Sequence, residues 1–89
     1  MDFAKTLKKF RLKAGKSKYR LAQYTGLTEP YILRLETGQR SNPTRDVVLM
    51  LGLALVENSR AIDIYDVDEL LLAAGFAPLH RRREAGIAS

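Results

Sequence analysis

Residues 18–36 contain two short apolar helical patterns that are separated by one glycine. Ala22 lies on the inner face of the first predicted helix, and Ile32 and Leu35 lie on the inner face of the second. Gly26 stands between them, where a tight turn requires a positive φ angle that is costly for a residue with a Cβ atom. Ala22 is small enough to let the two helices cross closely. This spacing is typical of a helix-turn-helix motif.

The rest of the chain also has the pattern of short helices joined by turns. Apolar residues recur at intervals of four, three and four residues near the start, which predicts an amphipathic helix. Ser17 and Thr28 are favourable N-cap residues for the two helices that follow. Five helices are predicted, at about residues 3–14, 18–24, 29–37, 45–57 and 66–74. The predicted fold class is therefore an all-α bundle of five short helices.

The sequence alone does not determine where two of the helices begin. The fourth helix begins after Thr44, or after Asn42 with a proline at its first position. Asp66 and Glu69 have the spacing of a capping box at the start of the fifth helix. Residues 61–65, just before it, fit either a short strand or an extra helical turn.

Length and composition limit what kind of protein this is. The chain has 89 residues, 46% of them hydrophobic, which is enough for one small domain. It has no cysteine, and this excludes a disulfide framework and a thiolate zinc site. The longest apolar-leaning run, residues 47–56, is half of the ~20 residues that a membrane helix needs, and no signal peptide is visible. We expect a soluble, cytoplasmic protein with no membrane association.

The net charge of +5 is unevenly distributed along the chain. Residues 1–45 contain eleven Lys or Arg and three acidic residues, whereas residues 46–79 contain one Arg and six acidic residues. Residues 80–89 include three consecutive arginines, and we expect them to form a basic, disordered tail. A chain with one basic half is suited to a polyanionic partner.

The sequence resembles the Xre/Cro phage-repressor helix-turn-helix family over roughly residues 5–56. The resemblance rests on Leu21-Ala22-Gln23, Thr25-Gly26-Leu27, Tyr31-Ile32, Arg34-Leu35-Glu36, Gly38 and Pro43-Thr44. It implies a lambda-repressor-like DNA-binding domain at residues 1–79, with the helix-turn-helix at residues 18–37. It further implies that the third helix enters the major groove of double-stranded DNA while the second spans the backbone. When bound to DNA, such a protein is associated with the nucleoid.

The resemblance implies that base-reading residues lie at the start and on the outer face of the third helix. They are Thr28, Glu29, Pro30, Tyr31 and Arg34. Arg34 is the expected reader of guanine, because a guanidinium can donate to both acceptors on that base edge. Glu29 can accept a hydrogen bond from a cytosine amino group, and Tyr31 can contact a thymine methyl group or a phosphate.

Phosphate contacts are expected on both sides of this helix. Ser17 and Lys18 begin the second helix, where backbone N–H groups and the helix dipole favour anions. Arg11 and Glu36 occupy positions that form an ion pair in the family, and this pair aligns Arg11 near phosphate. The full set of expected phosphate contacts is Arg11, Ser17, Lys18, Gln39, Arg40, Ser41, Thr44 and Arg45.

The fourth helix is apolar on two sides, which indicates that both sides are buried. One side faces the helix-turn-helix core. The other is expected to lie under the fifth helix or against a second subunit. If a second subunit covers it, the candidate dimer residues are Val47, Met50, Leu53, Ile62, Ile64, Tyr65, Leu71 and Phe76.

These features favour a sequence-specific DNA-binding transcription regulator, a repressor that acts as a homodimer on a near-palindromic operator. The alternative is an antitoxin that binds a toxin protein and regulates its own operon. A pure protein-interaction module is disfavoured by the basic half of the chain. An enzyme is the weakest class, since we find no nucleophile–base pair, no phosphate-cradling glycine loop and no metal-ligand cluster. No cofactor or metal is expected, and His80 is interpreted as a lone exposed histidine.

Overall fold

The computed structural model describes residues 2–80 and contains five α-helices. They are α1 (Phe3–Ala14), α2 (Lys18–Thr25), α3 (Glu29–Thr37), α4 (Arg45–Val56) and α5 (Ile64–Ala73). No strand occurs within residues 2–80. The predicted all-α class and the order of five short helices are therefore confirmed. None of these helices has the length and apolar character that a bilayer crossing requires.

Side-chain caps define where α2, α3 and α4 begin. Ser17 and Thr28 accept hydrogen bonds from the first turns of α2 and α3, as predicted. Thr44 does the same for α4, with its Oγ1 3.3 Å from the backbone nitrogen of Val47. The alternative start at Asn42 is wrong, because this residue has a φ of 59° and lies in the loop before the helix.

The start of α5 differs from the prediction. Asp63, not Asp66, is the N-cap: its carboxylate accepts from the backbone N–H groups of Tyr65 and Asp66, at 3.0 and 3.1 Å. The Asp66 carboxylate accepts in return from the Asp63 N–H at 3.1 Å, which completes the capping box. The helix thus begins at Ile64, so that Ile64 and Tyr65 belong to α5, whereas residues 61–63 form neither a strand nor a helical turn.

The turn between α2 and α3 is built as the glycine spacing predicts. Gly26 has a φ of 81°, in the left-handed region, and its N–H donates to the carbonyl of Ala22 at 2.8 Å. Leu21, Ile32 and Leu35 are fully buried at the crossing. This turn presents α3 with one face sealed into the core and the opposite face in solvent.

A single hydrophobic core joins the five helices, and α5 is part of it. Gly52 of α4 is buried against α5, where a Cβ atom would lie 2.7 Å from Cγ1 of Val67. Ile62 and Leu71 are 2% and 0% exposed, so their assignment to a dimer surface is wrong. Their side chains complete the core instead, together with those of Val67 and Leu70.

Candidate nucleic-acid interface

The outer face of α3 is the centre of the candidate interface. Its inner face buries Ile32 and Leu35 in the core. Pro30 and Arg34 are exposed and lie four residues apart, so they occupy one side of the helix. Glu29 is also exposed, in the first turn of the helix, next to the exposed N-cap Thr28. The structure therefore brings the predicted base-reading residues to the accessible start and outer face of α3.

Tyr31 is half-buried and lies at the edge of this face. The guanidinium carbon of Arg40 is 5.5 Å from the centre of its ring, the geometry of a cation–π contact. The ring lies in an open groove lined by Leu27, Thr28, Tyr31, Arg34, Arg40 and Val47. Val47, predicted as a dimer residue, is thus beside the predicted DNA-contacting residues rather than on a separate face.

The loop after α3 is attached to the end of that helix. The backbone N–H of Arg40 donates to the carbonyl of Arg34 at 3.0 Å. This contact brings part of the predicted phosphate-binding set close to the predicted base reader. Five residues of the predicted phosphate-binding set lie in this loop or at the start of α4, and all are exposed. They are Gln39, Arg40, Ser41, Thr44 and Arg45.

The start of α2 is the second part of the predicted phosphate-binding surface. Ser17 Oγ accepts from the backbone nitrogen of Arg20 at 3.0 Å, so one first-turn N–H is capped. Other N–H groups of a first helical turn have no partner within the helix and can donate to an anion. Ser17 is exposed and Lys18 is half-buried, so both remain accessible beside them.

Arg11 does not share this accessibility. Its Nε and Nη2 atoms donate to the two carboxylate oxygens of Glu36, at 2.5 and 3.0 Å. Its Nη1 donates to the carbonyl of Lys16 at 3.0 Å. The ion pair implied by the family resemblance is present. Since only 8% of the Arg11 side chain is exposed, it offers little surface to a phosphate and acts as a link between α1 and α3.

Lys16 is a buried charged residue that the sequence analysis missed. Its residue exposure is 7%, and its Nζ donates to the carbonyls of Ala54 and Glu57 at the carboxyl end of α4. Lys13 is an exposed lysine in the same basic half of the chain. No local pattern distinguishes the two residues, because the difference arises from contact with a helix that is distant in sequence.

The segment after α5 folds back onto that helix, which the sequence analysis also missed. His80 Nδ1 lies 2.6 Å from the Asp68 carboxylate, and the His80 ring stacks on Tyr65 at 4.5 Å. Burial raises the pKa of Asp68, but hydrogen bonds from His80 and from the Leu79 backbone outweigh it, and the net pKa is below its ordinary value. The interpretation of His80 as a lone histidine is therefore wrong. Residues 81–89 of the predicted tail lie outside the described residues.

Several candidate dimer residues are exposed. Met50 and Leu53 on α4 are 36% and 47% exposed, so α5 does not cover them. Tyr65 is also exposed, whereas Ile64 and Phe76 are half-buried against the core. Two further exposed apolar residues that the sequence analysis did not assign to this surface lie at or beyond the end of α5, Leu72 and Leu79.

Comparison with known protein families gives one match. A family described as helix-turn-helix matches residues 7–55, which is more than half of the chain and extends from α1 to α4. Comparison with curated proteins and with solved structures gives no match. Within residues 2–80, no cluster of three or more His, Cys, Asp or Glu side chains could hold a metal ion.

Proposed function

The chain belongs to the Xre/Cro-type helix-turn-helix family of DNA-binding transcription regulators, and from this premise we propose that it is a repressor that binds a near-palindromic operator as a homodimer. The observation that carries the proposal is the outer face of α3. This face is exposed and bears Arg34, while its opposite face is anchored in the core. A helix held in this way can enter the major groove as a rigid unit.

In the proposed complex, α3 supplies the sequence readout. Arg34 donates two hydrogen bonds to a guanine edge, and Glu29 accepts one from a cytosine amino group. Thr28 and Pro30 approach the bases at the start of the helix. Tyr31 contacts a thymine methyl group or a phosphate from the edge of the groove. The free positions of Arg34 and Glu29 support these roles, because neither forms a salt bridge within residues 2–80.

The phosphate contacts in the proposed complex lie on both sides of α3. Ser17 and Lys18 bind one stretch of backbone at the start of α2. The second stretch is bound from the α3–α4 loop and the start of α4, by Gln39, Arg40, Ser41, Thr44 and Arg45. Such contacts position the protein without reading sequence. They are expected to make the affinity fall steeply with salt, with a slope of about 0.9 per neutralised phosphate.

The homodimer is proposed because two reading helices one DNA turn apart, about 34 Å, recognise a two-fold symmetric site. The exposed apolar residues Met50, Leu53 and Tyr65 are the surface we propose for the second copy. Repression follows if the dimer occludes a promoter that overlaps its operator.

Binding-site selection from random DNA duplexes tests the proposed function directly. We expect an enriched sequence with two inverted half-sites and a guanine in each that becomes less preferred in Arg34→Ala. Enrichment of a single half-site contradicts the homodimer. Recovery of no shared sequence contradicts the proposed readout altogether.

The exposed residues Tyr65, Leu72 and Leu79 favour the antitoxin as a second candidate function, because they provide an apolar surface for a different protein. The two candidates differ in the partner that covers the exposed apolar residues, which is a second copy of the chain for the repressor and a different protein for the antitoxin. A purified chain that forms a dimer, and loses it when Met50 or Leu53 is replaced by glutamate, supports the repressor. A chain that stays monomeric until a toxin encoded beside it is co-expressed supports the antitoxin.

A further inference from the structure

Lys16 lies in the turn between α1 and α2, and its side chain reaches the carboxyl end of α4. Its Nζ donates to the carbonyl oxygens of Ala54, at 2.5 Å, and of Glu57, and it lies 3.7 Å from Glu57 Oε1. Carbonyls at this end of a helix carry partial negative charge, so they compensate a buried ammonium group. Unlike an exposed lysine, Lys16 therefore has a defined position relative to α4.

The backbone of Lys16 is held as firmly as its side chain. Its N–H donates to the carbonyl of Arg11 at 3.2 Å, and its own carbonyl accepts from Arg11 Nη1 at 3.0 Å. Arg11 is in turn paired with Glu36 near the end of α3. Lys16 is thus attached directly to α1 through its backbone and to α4 through its side chain, and it is linked to α3 through Arg11.

This attachment connects the two groups of proposed phosphate contacts. Lys16 precedes Ser17 and Lys18 in the chain and is fastened to the carboxyl end of α4. Thr44 and Arg45 are at the opposite end of the same helix, which has twelve residues. A straight helix of that length is a rigid spacer of about 18 Å. The separation of the two groups therefore depends on the length of α4 and on what holds the start of α2 to its carboxyl end, which includes the core packing of Leu21 and the contacts of Lys16.

We propose that Lys16 is a positioning residue for DNA binding. It keeps the start of α2 at the separation from the start of α4 at which both contact the backbone of one duplex together. Its own ammonium group points to α4 carbonyls and does not touch DNA. The inference rests on the proposed function, since it concerns how that same interface is aligned.

Lys16→Met tests the proposal, with Lys13→Met as the matched control. Both changes keep a long unbranched side chain and remove one positive charge, but Lys13 is exposed on α1. The affinity of the full chain for its selected duplex is measured between about 50 and 200 mM salt, a range over which phosphate contacts dominate the response. Ethylation of individual phosphates then shows which backbone positions each variant still contacts.

We expect Lys16→Met to bind about tenfold or more weakly, with a salt slope lower by about 0.9 to 1.8, the value for one or two lost phosphates. Interference by ethylated phosphates should disappear on the α2 side and persist on the α4 side. The preferred base sequence should stay the same. Lys13→Met should keep both the slope and the interference pattern of the original chain.

The possible failures are distinguishable. If the original chain prefers no sequence, the proposed function is wrong and the inference falls with it. If the original chain is specific but Lys16→Met matches Lys13→Met in slope and interference, the function stands and the positioning role is wrong. Circular dichroism checks folding, and Lys16→Gln, which keeps a donor, is the second variant. Unfolding of both Lys16 variants would show a role in stability alone and would overturn the proposal.

Discussion

Removing either partner of the Arg11–Glu36 pair should destabilise the fold more than removing both. The two side chains are only 8% and 2% exposed, and two hydrogen bonds of 2.5 and 3.0 Å join them. A charge left without its partner in such a place costs about 3–5 kcal/mol. A small domain has a total stability of only about 5–15 kcal/mol. Each single change is thus expected to remove a large share of it.

The double variant leaves no stranded charge. In Arg11→Met with Glu36→Leu, apolar side chains of similar length replace both ions. The one group that loses its side-chain partner is the carbonyl of Lys16, which accepts from Arg11 Nη1. An unsatisfied buried carbonyl costs about 1–3 kcal/mol. We therefore expect the double variant to be more stable than either single variant, although less stable than the original chain.

Urea denaturation followed by circular dichroism measures these differences, provided that the slope against urea is unchanged among the variants. The Lys9–Glu69 pair, 3.5 Å apart and with side chains 60% and 36% exposed, is the control. Replacing Lys9 by Met should change stability by at most about 1 kcal/mol. Single variants that cost less than that at Arg11 and Glu36, or a double variant whose cost equals the sum of the two, would refute the reasoning.

Three further sets of substitutions probe the interface, the assembly and the C-terminal contact. Arg34→Ala should lose about 1–3 kcal/mol of binding free energy at one base pair and relax the base preference there. Lys18→Ala should instead weaken binding to all duplexes alike. Titration of duplexes that differ at single positions separates the two effects. Met50→Glu or Leu53→Glu should convert the proposed dimer to a folded monomer in sedimentation experiments, and an unchanged mass would exclude this surface. The pKa of Asp68 is lower in the folded chain than in the unfolded chain, where it is about 3.9. The ionised Asp68 carboxylate therefore stabilises the fold above about pH 3.9, and this stabilisation is lost as the pH falls through the folded pKa. Unfolding curves between about pH 5 and 2 should therefore be less pH-dependent in Asp68→Asn, and identical profiles would contradict this.

Features that depend on neighbouring residues could be predicted from the sequence. Ser17, Thr28 and Thr44 cap their helices through hydrogen bonds to N–H groups three residues away. Gly26 adopts the left-handed conformation that its place in the motif requires. Since each of these choices is decided within four residues, local chemistry is sufficient to predict it. The exposure of α3 follows in the same way from the spacing of Ile32 and its neighbours.

Features that depend on distant contacts could not be predicted in this way. Two pairs of acidic residues have capping-box spacing, Asp63–Asp66 and Asp66–Glu69. The first pair caps α5, which therefore starts two residues before the predicted position. Ile62 and Leu71 are apolar, as residues of a dimer interface would be, but they are buried in the core, and α5 lies against Gly52 of α4. The pattern of apolar residues identifies a buried face, but it does not say which surface buries it.

Two of the buried polar contacts in residues 2–80, those of Arg11 and Lys16, hold helices that are proposed to contact DNA, and their physical character explains why they are useful there. Apolar burial is not directional, so a core of leucines and valines allows small displacements of one helix along another. A hydrogen bond has a preferred distance and angle, and it resists such displacements. Arg11 joins α1 to α3, and Lys16 joins the start of α2 to α4, so every helix that is proposed to contact DNA is held by at least one directional contact. In a chain this small, alignment of the contacts to bases and phosphates therefore depends on a few buried charges as well as on the core.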